Sequence, residues 1–268
     1  MVIGKKNFDF EKEAYIMGIL NITPDSFSDG GKFNNLEDAL LRTENMIEDG
    51  ATIIDIGGES TRPGYTRISD EEEISRIVPI IESVKKCFDT VISVDTYKSA
   101  VAKAALEAGA DMINDIWGLK GDKDMARVVA EYDVPVCIMH NRDNEVYTDY
   151  VSDVINDLNE SLQIAESFGI KKENIMLDPG VGFAKDFTQN LQIIKHVDKI
   201  VEMGYPVLLG TSRKSVIAKA LSLPVDERVE GTIATTVLGY EKGCRIFRVH
   251  DVKENIRALR MTQAILNS

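Results

Sequence analysis

Polar residues recur in this chain directly after short apolar runs, and their types fall into two groups. Asp95, Asn114 and Asp178 carry acceptor oxygens, while Arg62, Lys214, Arg248 and His250 are cations or can become cations. A carboxylate accepts two parallel hydrogen bonds from a guanidine-like edge, so the first group suits a flat heterocycle with paired N–H donors. The second group suits an anion. A ligand with a donor-rich ring at one end and phosphates at the other would use both. For any one position a helix cap or turn residue is the plainer account, and only convergence on one surface makes the set a site. The zinc-protease helix motif, a cysteine-rich set, Gly-x-Ser-x-Gly and a Walker-type phosphate loop are all missing from the sequence. "GTSRKS" offers Ser212, but Arg213 and Lys214 follow where a nucleophile elbow needs small residues, which argues against covalent serine catalysis.

Eight apolar runs read as strands: "YIMGILNI", "TIIDIGG", "VISVDT", "DMINDI", "PVCIMH", "NIMLDP", "PVLLGTS" and "RIFRVHD". Helical spacing with charged outer faces lies between and after them, over 36–49, 70–87, 98–108, 123–132, 149–168, 188–203, 214–240 and 252–266. Because the strands are nearly continuous apolar runs, both sheet faces are expected to be covered, as in a parallel sheet. Eight such units in 268 residues predict an α/β fold, a TIM (β/α)8 barrel, in a single domain over 1–268. An open doubly wound sheet is the competitor, yet "DPGVGFAK" ends in Lys185 where a dinucleotide loop needs glycine or alanine. The strand exits carry Asn21, Asp55 with Glu59, Asp95, Asn114 with Asp115, His140, Asp178, Ser212 with Lys214, and Arg248 with His250. In a barrel these exits meet at one mouth, the face that bears function.

With 44% hydrophobic and 28% charged residues, the chain has the composition of a globular protein with a large core. A net charge of −13 argues against nucleic acid as partner, since phosphate-binding surfaces need excess Lys and Arg. Cys87, Cys137 and Cys244 have no metal-ligand spacing and read as free thiols in a reducing cytoplasm. The N-terminal stretch has no apolar signal region, and no apolar run approaches the roughly 18 residues of a membrane span. The expected location is cytoplasmic, with no membrane partner.

"ILNITPDSFSDGG" (19–31) and "GATIIDIGGESTRPG" (50–64), followed in order by "SVDTYK", "IND", "DPGVGF", "TSRK" and "RVHDV", resemble the dihydropteroate synthase family over essentially the whole chain. The resemblance implies condensation of (7,8-dihydropterin-6-yl)methyl diphosphate with 4-aminobenzoate, with Mg2+ on the diphosphate and a homodimeric assembly. It implies a pterin pocket of Asp95, Asn114, Asp178, Lys214 and Met139. Diphosphate would meet Asn21, Thr61, Arg62, Arg248 and His250, with Asn21 also on the metal. Aminobenzoate would lie against Phe27, Arg62, Pro63, Phe183, Ser212 and Lys214. Lys214, Asp95, Arg248, Asp29 and Phe27 are the expected catalytic set, Asp29 stabilising positive charge on the ring. Asp25 reads equally well as a turn residue, and Trp117 stands where the family tends to carry a small residue. The long polar loops over 23–33 and 59–70 are expected to cover the site and exclude water. Two other readings remain open at this point: a pterin-dependent methyltransferase acting with a corrinoid protein, and a catalytically silent pterin-binding protein.

Overall fold

The computed structural model describes residues 1–22, 32–59 and 67–268. The chain opens with a small antiparallel hairpin, β1 (Val2–Ile3) and β2 (Lys6–Asn7). Eight parallel strands follow: β3 (Tyr15–Asn21), β4 (Ile53–Gly57), β5 (Val91–Asp95), β6 (Met112–Asp115), β7 (Val136–Met139), β8 (Ile175–Asp178), β9 (Leu208–Leu209) and β10 (Ile246–Val249). Their spatial order is β8-β7-β6-β5-β4-β3-β10-β9. A parallel bridge between Leu177 and Val207 joins the two ends of that order, so the sheet curls into a nearly closed barrel and the open-sheet alternative falls.

The helices are α1 (Lys32–Glu48), α2 (Asp70–Cys87), α3 (Ser99–Glu107), α4 (Met125–Tyr132), α5 (Tyr150–Ser167), α6 (Phe187–Lys195), α7 (Asp198–Val201), α8 (Ser215–Leu221), α9 (Val229–Glu241) and α10 (Val252–Leu266). α2 starts where Ser69 accepts from the Glu72 amide and closes its last turn with Lys85 and Lys86, complementing the helix dipole. Two expected helices are each divided. The segment 188–203 breaks at His196, and 214–240 breaks where Ser222 turns left-handed (φ 58°) just before Pro224. That second break lets Arg228 fold back and donate through Nη1 to the Arg213 carbonyl at 2.8 Å, bracing the loop that carries Lys214.

Strand period two turns alternate side chains inward. Met17, Ile53, Val91, Met112, Cys137, Met176, Leu208 and Ile246, one per barrel strand, form a buried layer with Ile3 and Phe8. The N-terminal hairpin therefore stoppers the end of the barrel opposite the strand exits, a feature absent from the sequence reading. Two residues further along the eight strands stand Ile19, Asp55, Ser93, Asn114, Met139, Asp178, Gly210 and Arg248. Apolar filling below thus gives way to chemistry above. Outside, a continuous apolar cluster of strand and helix residues, Ile54, Ile92, Ile113, Ile138 and Leu177 among them, fills the layer between sheet and helices. Fully burying each such side chain contributes about 1.5–3 kcal/mol.

Candidate active site

The mouth is organised around Arg248. Its Nε donates to Asp55 Oδ2 at 2.5 Å and its Nη2 to Asp95 Oδ2 at 2.6 Å. Asn114 Nδ2 donates to the same Asp55 oxygen at 3.2 Å. Asp55, Asp95 and Asn114 are all buried, as is Asp178. Two oxygens of this cluster have no donor: Asp55 Oδ1 and Asp95 Oδ1 are buried without a hydrogen-bond partner among the described residues. Such orphans cost free energy unless a ligand satisfies them. Burial pushes the Asp95 carboxyl upward, with Arg248 opposing and Asp55 adding to the rise.

Asp178 uses Oδ1 to accept from the Gly180 amide at 2.7 Å. Its Oδ2 has no protein donor among the described residues and looks across at Gly210, where an added Cβ would come within 3.7 Å of it. Burial raises its pKa too. Lys214 closes this side: its Nζ donates to the Val181 carbonyl at 2.5 Å and stands 4.8 Å from the centre of the Phe183 ring. Burial brings the ammonium down to about 8, against the pull of Asp178. Behind the pocket Tyr97, Ile116 and Met139 form a small apolar cluster, with Trp117 and Phe183 packed against it. Trp117 is therefore an apolar contact, and the loop around it is held by Asp115, which accepts from the Trp117 and Leu119 amides at 2.8 and 2.7 Å. Burial lifts Asp115 to about 6.

At the β9 and β10 exits, His250 donates from its backbone amide to Ser212 Oγ at 3.1 Å, and its Nδ1 lies 3.0 Å from the same hydroxyl. Arg213, left-handed at φ 58°, is turned away into a bidentate pair with Asp251. That strained turn is what separates the neighbouring cations, one to the mouth and one to α10. Asn21 ends β3 on the same rim, partly exposed, and its amide has no hydrogen bond among the described residues.

The structure brings together Asn21, Asp95, Asn114, Met139, Asp178, Phe183, Ser212, Lys214, Arg248 and His250 at the strand exits. Phe27, Asp29, Thr61, Arg62 and Pro63, and Asp25 with them, lie outside the described residues. Asp55 is the residue sequence reasoning undervalued: it is noted as a strand exit, yet its place beside Arg248 is set by a contact 193 positions away in sequence. His140, a strand exit as well, does not join the pocket; it is buried on the α5 side of the sheet against Asp157 and Lys185.

The model of the family described as pterin binding enzyme matches residues 17–250. The chain belongs to the pterin binding enzyme family. Within this family, a dihydropteroate synthase of Clostridium beijerinckii is 59% identical over 267 residues, covering 99% of both chains. Among solved structures, a dihydropteroate synthase of Clostridium difficile in the presence of pteroic acid superposes with a TM-score of 0.95 at 53% identity, covering 98% of this chain and 100% of that one. The Xanthomonas albilineans dihydropteroate synthase with 4-aminobenzoic acid gives 0.92 at 40% identity, covering 96% and 94%. These pterin binding enzymes share the barrel with the present chain from end to end. Among the described residues no helix is long and apolar enough to cross a membrane.

Proposed function

We propose that this chain catalyses the dihydropteroate synthase reaction, joining the methylene carbon of (7,8-dihydropterin-6-yl)methyl diphosphate to the amine of 4-aminobenzoate and releasing diphosphate. The observation that carries this reading is the pair of unsatisfied buried acceptors at the strand exits, Oδ1 of Asp55 and of Asp95, among the described residues, in the cluster that Arg248 and Asn114 share with them. An aminopyrimidinone ring supplies the donors such a set needs. The 2-amino group and N3–H are given to Asp178, the ring carbonyl to Lys214, the opposite edge to Asp95 and Asn114, and one face to Met139. A methyltransferase would need the ring pocket alone, whereas the rim here also offers Arg248, His250 and Asn21 to a leaving group.

In the reaction, developing negative charge on the diphosphate is met by the guanidinium groups of Arg248 and Arg62, with His250 and Thr61 assigned as hydrogen-bond donors beside them. Electrostatic stabilisation of a leaving group in a partly dry site is the largest effect such residues can supply. The amide of Asn21 is a hard oxygen ligand without a competing partner among the described residues. Among the described residues no cluster of three or more His, Cys, Asp or Glu side chains could hold a metal. Mg2+ keeps most of its waters and is carried largely by substrate phosphates, so one protein oxygen suffices to hold it here. When bound it would neutralise diphosphate charge. Carbon–oxygen cleavage precedes attack; the arylamine is already neutral near pH 7 and needs no base beforehand, and the proton its nitrogen sheds as the carbon–nitrogen bond forms passes to the departing diphosphate or to water. Asp29 and the carboxylates of the pocket stabilise the pterin cation in that interval. Phe27, Arg62, Pro63, Phe183, Ser212 and Lys214 line the aminobenzoate side.

A cytoplasmic location accords with three free cysteines. A homodimer accords with the exposed apolar side chains Leu238, Met261, Ile265 and Leu266 on α9 and α10; sedimentation of the purified protein tests it. The function itself is tested by complementation. A bacterium deleted for its own dihydropteroate synthase should grow without folate end products when it carries this gene, and failure despite good expression would count against the reading.

A further inference from the structure

Beside the pocket, in the loop after β8 and toward α5, lies a buried lysine that the reaction does not use. Lys185 is 6% exposed. Its ammonium has no carboxylate partner within ion-pair distance among the described residues; instead it donates to His140 Nδ1 at 2.7 Å and to the Phe183 carbonyl at 3.0 Å. His140 is 1% exposed, and its Nε2 lies 2.8 Å from Asp157 Oδ2 on α5. A carboxylate only accepts, so Nε2 carries the proton and Nδ1 is left as the acceptor Lys185 requires. Burial lowers His140 to about 4, which keeps the ring neutral. Asp157 is in turn fixed by Arg142.

The two lysines hold one tripeptide between them. Lys214 donates to the Val181 carbonyl, and Lys185 to the Phe183 carbonyl two residues on. No side chain could be inserted underneath: Gly180 has φ 68°, and a Cβ there would sit 1.9 Å from the His140 carbonyl and 3.3 Å from Lys185 Nζ. Tyr147 donates to the next carbonyl, Ala184, at 2.8 Å.

We infer that Lys185 is a positioning residue: through His140 and the Phe183 carbonyl it fixes the loop after β8, so that Phe183 stands beside Lys214 as the wall of the aminobenzoate subsite. The assignment rests on the function proposed above. A lysine serving only the fold would be better replaced by an apolar chain of similar length, because an ammonium buried without a carboxylate is costly to hold. Burial brings Lys185 down to about 7, the direction such a cost produces. Function and stability should therefore part company when it is removed.

The test is Lys185→Met, read by steady-state kinetics, thermal unfolding and amide hydrogen exchange. The expected result is an aminobenzoate KM raised about tenfold or more, since displaced site walls cost on that scale. The KM for the pterin diphosphate should stay within about threefold, Tm should be equal or higher, and exchange over 181–184 should be faster. An unchanged aminobenzoate KM, unchanged exchange, or an equal rise in both KM values with a lowered Tm overturns the assignment. Should the variant not fold, a His140 pair decides. Asn keeps an acceptor at the Nδ1 position and should retain the wild-type aminobenzoate KM and exchange over 181–184, whereas His140→Leu should follow the aminobenzoate defect; equal behaviour of the two in these readouts overturns it. Wild-type protein that forms no dihydropteroate would count against the proposed function alone, because the exchange comparison still judges the loop.

Discussion

Replacing Asp178 by Asn keeps the shape of the pocket and changes only what its edge can accept. In the structure Oδ1 already accepts from the Gly180 amide at 2.7 Å, so Oδ2 is the oxygen with both lone pairs open to the ring and Oδ1 keeps one. In Asp178→Asn the loop amide selects the amide oxygen, which forces the NH2 group toward the 2-amino and N3–H donors. A donor then faces donors. The loss is that of a hydrogen bond to a charged group, about 1.5–3 kcal/mol, and more because one ligand donor stays buried and unpaired. At 1.4 kcal/mol per decade, pterin affinity should fall by roughly ten- to a hundredfold. The assay is calorimetric titration with a 6-substituted pterin, accompanied by a melting curve to show that the barrel is intact. Burial already raises the Asp178 pKa, so removing the charge should leave stability equal or improved. Unchanged pterin affinity in a folded variant would refute the reasoning and reduce Asp178 to a cap for the Gly180 loop.

Lys214 titrates at about 8, so kcat/KM for the pterin diphosphate should decline above that pH as the ammonium is lost, and a pH–rate profile of Lys214→Met should lack this limb. His140 is held at about 4 in the fold from an ordinary 6.5. Unfolding therefore takes up a proton between those values, and the corresponding stability, about 3 kcal/mol, is present above pH 6.5 and lost as pH falls toward 4. Denaturant titrations across that range should show it, and His140→Asn should flatten the curve. Aminobenzoate should bind the protein alone poorly and bind well once Mg2+ and diphosphate are present, because the reaction order places it after the pterin substrate; equal affinities by calorimetry would contradict that order.

The barrel was legible because strand period and helix period alternate cleanly along the chain, and the gathering of polar residues at one rim because they stand at consecutive strand exits. Other features had no local signal. The hairpin at Val2–Ile3 and Lys6–Asn7 is too short for any periodicity, and its burial depends on eight strands that come later. The breaks at His196 and Ser222 interrupt segments that keep helical composition on both sides. Arg248 read as a diphosphate ligand, and its position between Asp55 and Asp95 depends on pairs 193 and 153 residues apart. Lys185 was visible only as a misfit to a dinucleotide loop; its partner His140 lies 45 residues upstream.

The most direct measurement is a balance of products. Purified protein is incubated with (7,8-dihydropterin-6-yl)methyl diphosphate, 4-aminobenzoate and Mg2+, and dihydropteroate and diphosphate are quantified together. Catalytic turnover giving the two in equal amounts, and only when both substrates are present, is the predicted result. Tight pterin binding without turnover, or diphosphate release with hydroxymethylpterin in place of dihydropteroate, would contradict it.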